Sequence, residues 1–105
     1  MQSEVLKGHV DLLLLAMLEG GPAHGYAIVA AVRSRSRGAF DLAEGTVYPA
    51  LYRLERRGLL ESGWSDGAGA RRRRVYRLTR RGAAELARQR QSWSSYIETM
   101  QAALA

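Results

Sequence analysis

The sequence predicts a mostly α chain with one small β-hairpin. Three observations carry that prediction: four stretches whose apolar residues recur at helical spacing, two short alternating runs around a Gly- and Ala-rich loop, and glycines placed where helices must stop. At 105 residues the chain suits one folding unit. At this size folding removes somewhat over ~60% of the unfolded surface from water, so the core it can build alone is modest.

Residues 9–19 read as a helix that is apolar nearly all round, with Leu12, Leu13, Leu14 and Leu15 in succession. A helix with no polar face must be covered on more than one side. Gly20, Gly21 and Pro22 end it, because glycine accepts the left-handed cap and proline cannot continue the helix. A second helix, 24–35, sets Ile28, Ala31 and Val32 on one face and places Arg33 and Arg35 in its last turn, where the helix dipole favours cations. The turn after it centres on Gly38.

The third helix, 43–57, carries Val47, Leu51 and Leu54 at i, i+4 and i+7 with Ala50 beside them, a stripe made for burial. Its opposite face holds Gly45, Pro49, Tyr52 and Arg56, flanked by Thr46, Tyr48 and Arg53. Pro49 is expected to shape the first turns, where a missing N–H is tolerated. Gly58 is expected just past the end, in the left-handed cap.

Runs 60–65 and 73–78 alternate as strands do and enclose the loop Asp66 to Ala70, which gives a two-stranded hairpin. Arg71, Arg72, Arg73 and Arg74 make its tip basic, and Trp64 is expected to anchor it against the helices. An isolated hairpin is marginal in water, so it must lean on the helical part.

Thr79 suits the N-cap of a last helix, 80–104, which at 1.5 Å per residue is roughly 36 Å long. Along it Leu86, Trp93, Ile97, Met100 and Leu104 recur at coiled-coil-like spacing, and Tyr96 widens the stripe. So much apolar surface projects beyond anything a small helical core covers. A second copy of the chain is therefore expected on it, meeting Leu12, Leu15, Leu86, Trp93, Ile97, Met100 and Leu104. The organisation read from this is residues 1–79 as one domain and 80–105 as a dimerisation helix packed with helix 9–19.

Sixteen Lys and Arg against ten Asp and Glu give a net charge of +6. That balance favours an anionic partner, nucleic acid or an anionic membrane. With no cysteine and two histidines, disulfides and thiolate or histidine metal sites are not expected, nor any cofactor. The apolar run 12–18 is far short of the ~20 residues a membrane helix needs, and the bracketing Asp11 and Glu19 with no cleavage pattern argue against a signal peptide. A cytoplasmic protein without a membrane partner is expected. Nucleophile-elbow, P-loop and zinc spacings are all missing, so an enzyme is not expected.

Helix, helix, helix, hairpin, helix is the order of a winged helix-turn-helix domain with a long C-terminal helix, in which the third helix enters the major groove of DNA and the wing touches the backbone or minor groove. The first turn of helix 43–57 offers free N–H groups to phosphates, and the small Gly45 and Thr46 allow close approach to base edges. The expected DNA-binding set is His24, Glu44, Gly45, Thr46, Tyr48, Pro49, Tyr52 and Arg53, with Arg72, Arg73 and Arg74 in the basic wing 66–74.

The stretches HGYAI (24–28), EGTVYPALYRLERRGLL (44–60) and RRRRVYRLTRRG (71–82) resemble the signatures of PadR-family transcriptional regulators. The usual forms there are a GY-hydrophobic start to the second helix, GTLYPALxRLExxGLI and RRxYYxLTxxG. The resemblance spans essentially the whole chain, and its length is similar to the short subfamily with a single terminal helix. It implies a homodimer built through the first and last helices, bound to a two-fold operator and usually repressing transcription. It also implies, for some members, a cavity between the terminal helices that takes planar aromatic or phenolic effectors, with Trp93 and Tyr96 at the corresponding place here. Two departures stand out: Ala43 and Glu44 occupy the cap where the family often has Ser or Asn, and Val75 replaces the first tyrosine of the YY pair.

Each signal has a plainer alternative. The arginine run could be a solvated loop, Tyr52 an ordinary half-buried aromatic, and Trp93 simple helix packing. For the whole chain the rival is a winged-helix ligand-sensing or protein-interaction module whose basic face is incidental.

Overall fold

In the computed structural model, residues 6, 8–65 and 72–105 are described. The chain runs α1 (Val10–Met17), β1 (Ala23–His24), α2 (Gly25–Arg35), α3 (Glu44–Arg56), β2 (Leu60–Ser65), β3 (Arg73–Leu78) and α4 (Arg80–Leu104). This is the winged-helix architecture, with a long C-terminal helix that stretches the molecule to 55 × 29 × 21 Å. Among the described residues no helix is long and apolar enough to cross a membrane.

The core forms where the stripes of the helices meet. Leu14 and Leu15 of α1, Ile28 and Val32 of α2, and Val47, Leu51 and Leu54 of α3 are almost fully buried, joined by Leu60, Tyr76 and Leu86 from the wing and α4. Fully burying one such aliphatic side chain is worth about 1.5–3 kcal/mol, so these few residues dominate the stability of so small a unit. Leu15 at 0% and Leu86 at 2% exposure belong to this core and present no surface to a second chain. That corrects the expectation that both lie in the dimer interface. The spacing of apolar residues defines a stripe, but it does not say whether the stripe faces the chain's own core or another copy.

The helix ends follow their glycines. Gly58, at φ +77°, follows α3, with the Gly58 N–H donating to Glu55 O at 2.9 Å and the Leu59 N–H to Leu54 O at 3.0 Å. These two bonds form a Schellman cap. At the other end of α3 the N-cap is Ala43, which has no side-chain acceptor to offer. Pro49 is the sixth residue of α3 and lies beyond the four N–H groups that lack helical partners anyway, so, contrary to the expectation that its missing N–H is tolerated there, Gly45 O loses the helical bond it would accept.

The hairpin is not two-stranded as expected. Ala23 and His24 add a third strand, in the order β1-β3-β2, with Ala23 opposite Tyr76 and His24 opposite Val75. Two residues after a proline are too short for any alternation to show in sequence. The consequence is mechanical: the wing is hydrogen-bonded to the residue that caps α2, and so moves with it.

The root of the wing is tied to α4 at one tight crossing. Thr79 caps α4, its Oγ1 accepting from Gly82 N–H at 3.0 Å while its hydroxyl donates to Gly58 O at 2.6 Å. Thr79 N–H also donates to Leu59 O at 3.1 Å. Gly82 is buried in this crossing.

Candidate nucleic-acid interface

Every α3 residue in the expected DNA-binding set, namely Glu44, Gly45, Thr46, Tyr48, Pro49, Tyr52 and Arg53, is exposed, as is Arg56 on the same outer face. The buried stripe Val47, Leu51 and Leu54 turns them outward, which follows from 100° per residue. Within this face the residues differ. Tyr52 is 60% exposed and pairs with Arg56, whose guanidinium lies 5.7 Å from its ring centroid and donates to its hydroxyl at 3.4 Å. Arg53 leans the other way, towards α1, and donates to Asp11 Oδ1 at 3.3 Å, with Arg57 4.0 Å from the same carboxylate. Arg53 must leave or share that carboxylate to reach a phosphate. An exposed ion pair of this kind contributes only about 0–1 kcal/mol, so the barrier to doing so is small.

Tyr48, 42% exposed, lies across the start of α2. A Cβ built on Gly25 would stand 2.6 Å from Tyr48 Cε1 and 2.7 Å from its hydroxyl oxygen. The bare Cα of Gly25 is what lets the phenol lie there. His24 caps the same helix, its Nδ1 accepting from Ala27 N–H at 3.2 Å. With Nδ1 used as an acceptor, a neutral His24 carries its proton on Nε2. Arg73 Nη1 stands 2.9 Å from that Nε2, and because a guanidinium only donates, it hydrogen-bonds the ring only in the tautomer that leaves Nε2 unprotonated.

These groups surround a cleft of about 410 Å³ lined by His24, Gly25, Tyr26, Tyr48, Arg73 and Arg74. It brings together the N-terminus of α2, the first turns of α3 and the return strand of the wing. Positive helix-end dipole, two guanidiniums and phenolic hydroxyls make it a place for a bridging anion. Arg74 is also 3.8 Å from Glu55 Oε2, which accepts from Ser62 Oγ at 2.6 Å, and this ties the wing to α3. Burial pushes the Tyr76 hydroxyl above its ordinary value even though Arg74 acts against it. Arg77 is exposed and paired across the strands with Glu61 at 2.6 Å. Arg72 is exposed at the edge of the described wing, while Arg71 and the loop 66–70 lie outside the described residues.

Tyr26 and Trp64 were not assigned to the site from sequence. Tyr26 is 74% exposed and stacked near His24 at 6.5 Å between centroids. A helical wheel could have found it, because it stands opposite Ile28. Trp64 is 54% exposed and does not anchor the wing against the helices. Strand alternation placed it on the same face as Leu60, but the sheet has outrun the helices by residue 64.

A second hollow, about 280 Å³, lies between α1 and α4, with His9, Leu12, Arg88, Trp93 and Tyr96 in its lining. Trp93 packs edge-on against His9 at 4.6 Å and roughly parallel to Tyr96 at 5.9 Å. Hydrogen bonds from Arg88 and Gln89 hold the neighbouring Glu85 carboxyl down at about 2. Further along α4, Met100 is 39% and Leu104 78% exposed, and Ile97 is half-buried. Among the described residues no group of three His, Cys, Asp or Glu side chains could hold a metal ion.

Residues 14–88 match the family described as Transcriptional regulator PadR-like family. The fold is similar to a transcriptional regulator from Clostridium thermocellum, with TM-score 0.86, 29% identity and coverage of 94% of this chain and 96% of that one. It is also similar to a PadR family transcription regulator from Clostridium difficile R20291, with TM-score 0.80, 35% identity and coverage of 93% and 100%. A PadR family transcriptional regulator from Eggerthella lenta matches with TM-score 0.84, 32% identity and coverage of 96% and 86%.

Proposed function

The chain belongs to the PadR-like family of transcriptional regulators, and on that premise we propose that it is a homodimeric repressor that binds a two-fold operator. Each half-site takes one α3 in the major groove, with centres about one helical turn (~34 Å) or a multiple apart. The observation that supports this is the continuous surface formed by the exposed outer face of α3, the half-buried His24 and exposed Tyr26 at the start of α2, and the exposed arginines of β3, which apart from Glu44 is aromatic, small or cationic. Phosphates seated near His24, Tyr48 and Arg73 position the domain, and the small Gly45 and Thr46 let the backbone of α3 approach base edges.

The second copy covers the outer half of α4, using Trp93, Ile97, Met100 and Leu104 with Leu12 from α1. The hollow beside Trp93 and Tyr96 supports a further feature, release from DNA by a small planar aromatic or phenolic effector. Stacked aromatic rings favour a flat ligand, and Arg88 favours an acidic one.

The test is Tyr48→Ala with operator binding and oligomeric state measured together. Losing a hydrogen bond to a charged phosphate costs roughly 1.5–3 kcal/mol, so affinity is expected to fall at least about tenfold with the dimer intact. Unchanged affinity removes Tyr48 from the site. Mapping the chromosomal sites the protein occupies then identifies the regulated genes.

A further inference from the structure

Trp64 stands where an indole finds little cover, 54% exposed near the end of β2. It faces Arg74 directly across the β2–β3 ladder. Two guanidiniums lie over its ring, Arg74 at 5.3 Å and Arg72 at 5.4 Å from the centroid. Both distances are within the range at which an indole face attracts a cation. Arg72 and Arg74 are two residues apart on an extended chain and so share one side of it, which is how a single ring can serve both. The Glu55 carboxylate, 3.8 Å from Arg74, adds a second restraint and comes from α3 itself.

We propose that Trp64 is a positioning residue of the wing: it holds Arg72 and Arg74 as an ordered pair that meets the phosphates of the duplex. This rests on the DNA-binding function proposed above. A long arginine side chain loses rotamer freedom when it is fixed on a phosphate, which opposes binding. A guanidinium already stacked on an indole has lost much of that freedom beforehand, and it keeps all its N–H donors because stacking uses only the face of the group. The indole itself adds no charge and no acceptor. Its effect on DNA is therefore exerted through the arginines.

The test compares the full chain with Trp64→Ala, Trp64→Phe and Arg72→Ala/Arg74→Ala, the last also combined with Trp64→Ala. Operator affinity is measured over a range of salt, with thermal unfolding as a control. Trp64→Ala is expected to weaken binding about tenfold and to flatten the salt dependence, with the melting midpoint nearly unchanged. Trp64→Phe restores part of the affinity. In the arginine-free background Trp64→Ala has no further effect. A tenfold loss that persists without the arginines means that Trp64 touches DNA itself, and it overturns the proposal. So does a Trp64→Ala chain that binds as tightly as the parent. If the parent binds no duplex at all, the DNA-binding function falls and this role falls with it.

Discussion

Alanine in place of Gly82 is expected to destabilise the fold by about 2–3 kcal/mol and to lower its melting midpoint by roughly 10 °C or more. The added Cβ would stand 1.9 Å from Leu59 O, 2.9 Å from Leu59 C and 3.1 Å from Leu78 Cδ2. The first two are backbone atoms, and they cannot swing aside as a side chain would. They are also fixed: Leu59 O accepts from Thr79 N–H, and the neighbouring Gly58 O accepts from the Thr79 hydroxyl. Relief therefore requires the start of α4 to lift away from the chain after α3. Alanine is the better helix former by about 1 kcal/mol, which acts in the opposite direction and does not match a backbone overlap. Urea unfolding of the variant measures the difference. A midpoint at or above that of the parent would mean that the crossing is looser than described.

The second large effect is expected from Ile97→Asp. Ile97 is half-buried on the outer half of α4, between Trp93 and Met100 on one stripe, and a carboxylate there stands in the middle of the surface assigned to the second copy. Burying an unpaired charge is far more costly than leaving two chains apart, so the variant is expected to be a folded monomer. Losing the link between two half-sites removes the effective-concentration advantage, and operator affinity is expected to fall by ~10²–10⁴. Sedimentation equilibrium and operator titration of the same sample check both parts. Leu86→Asp makes the contrast: Leu86 is in the chain's own core, so that variant is expected to unfold rather than dissociate. An Ile97→Asp chain that remains a dimer with full affinity would move the interface elsewhere.

Much of the fold is legible in the sequence because each element carries its own local signal. Val47, Leu51 and Leu54 give α3 its period, Gly58 its end and Thr79 the start of α4, and strands 60–65 and 73–78 fall where alternation puts them. The features that were not legible depend on relations between elements. Ala23 and His24 become a strand only because β3 lies alongside, and two residues hold no pattern. Leu15 and Leu86 look the same as Ile97 in a list of apolar positions, and only packing separates core from exposed seam. Trp64 reads as an anchor until two guanidiniums are found over it. For the interface, the helical wheel of α3 gives the exposed residues, whereas the Asp11 contact of Arg53 and the Nε2 contact between His24 and Arg73 arise from side chains 42 and 49 positions apart.

On the proposed function, the exposed face of α3 with the start of α2 and the wing reads a two-fold DNA site. The most direct test of this assignment is titration of the full chain with a palindromic duplex from its own promoter region and with a scrambled duplex of equal length, between roughly 50 and 200 mM salt. Binding of two chains per palindrome is expected, roughly 10³-fold or more tighter than to the scrambled duplex, with both affinities falling steeply as salt rises. Equal affinity for the two duplexes at every salt concentration would contradict it.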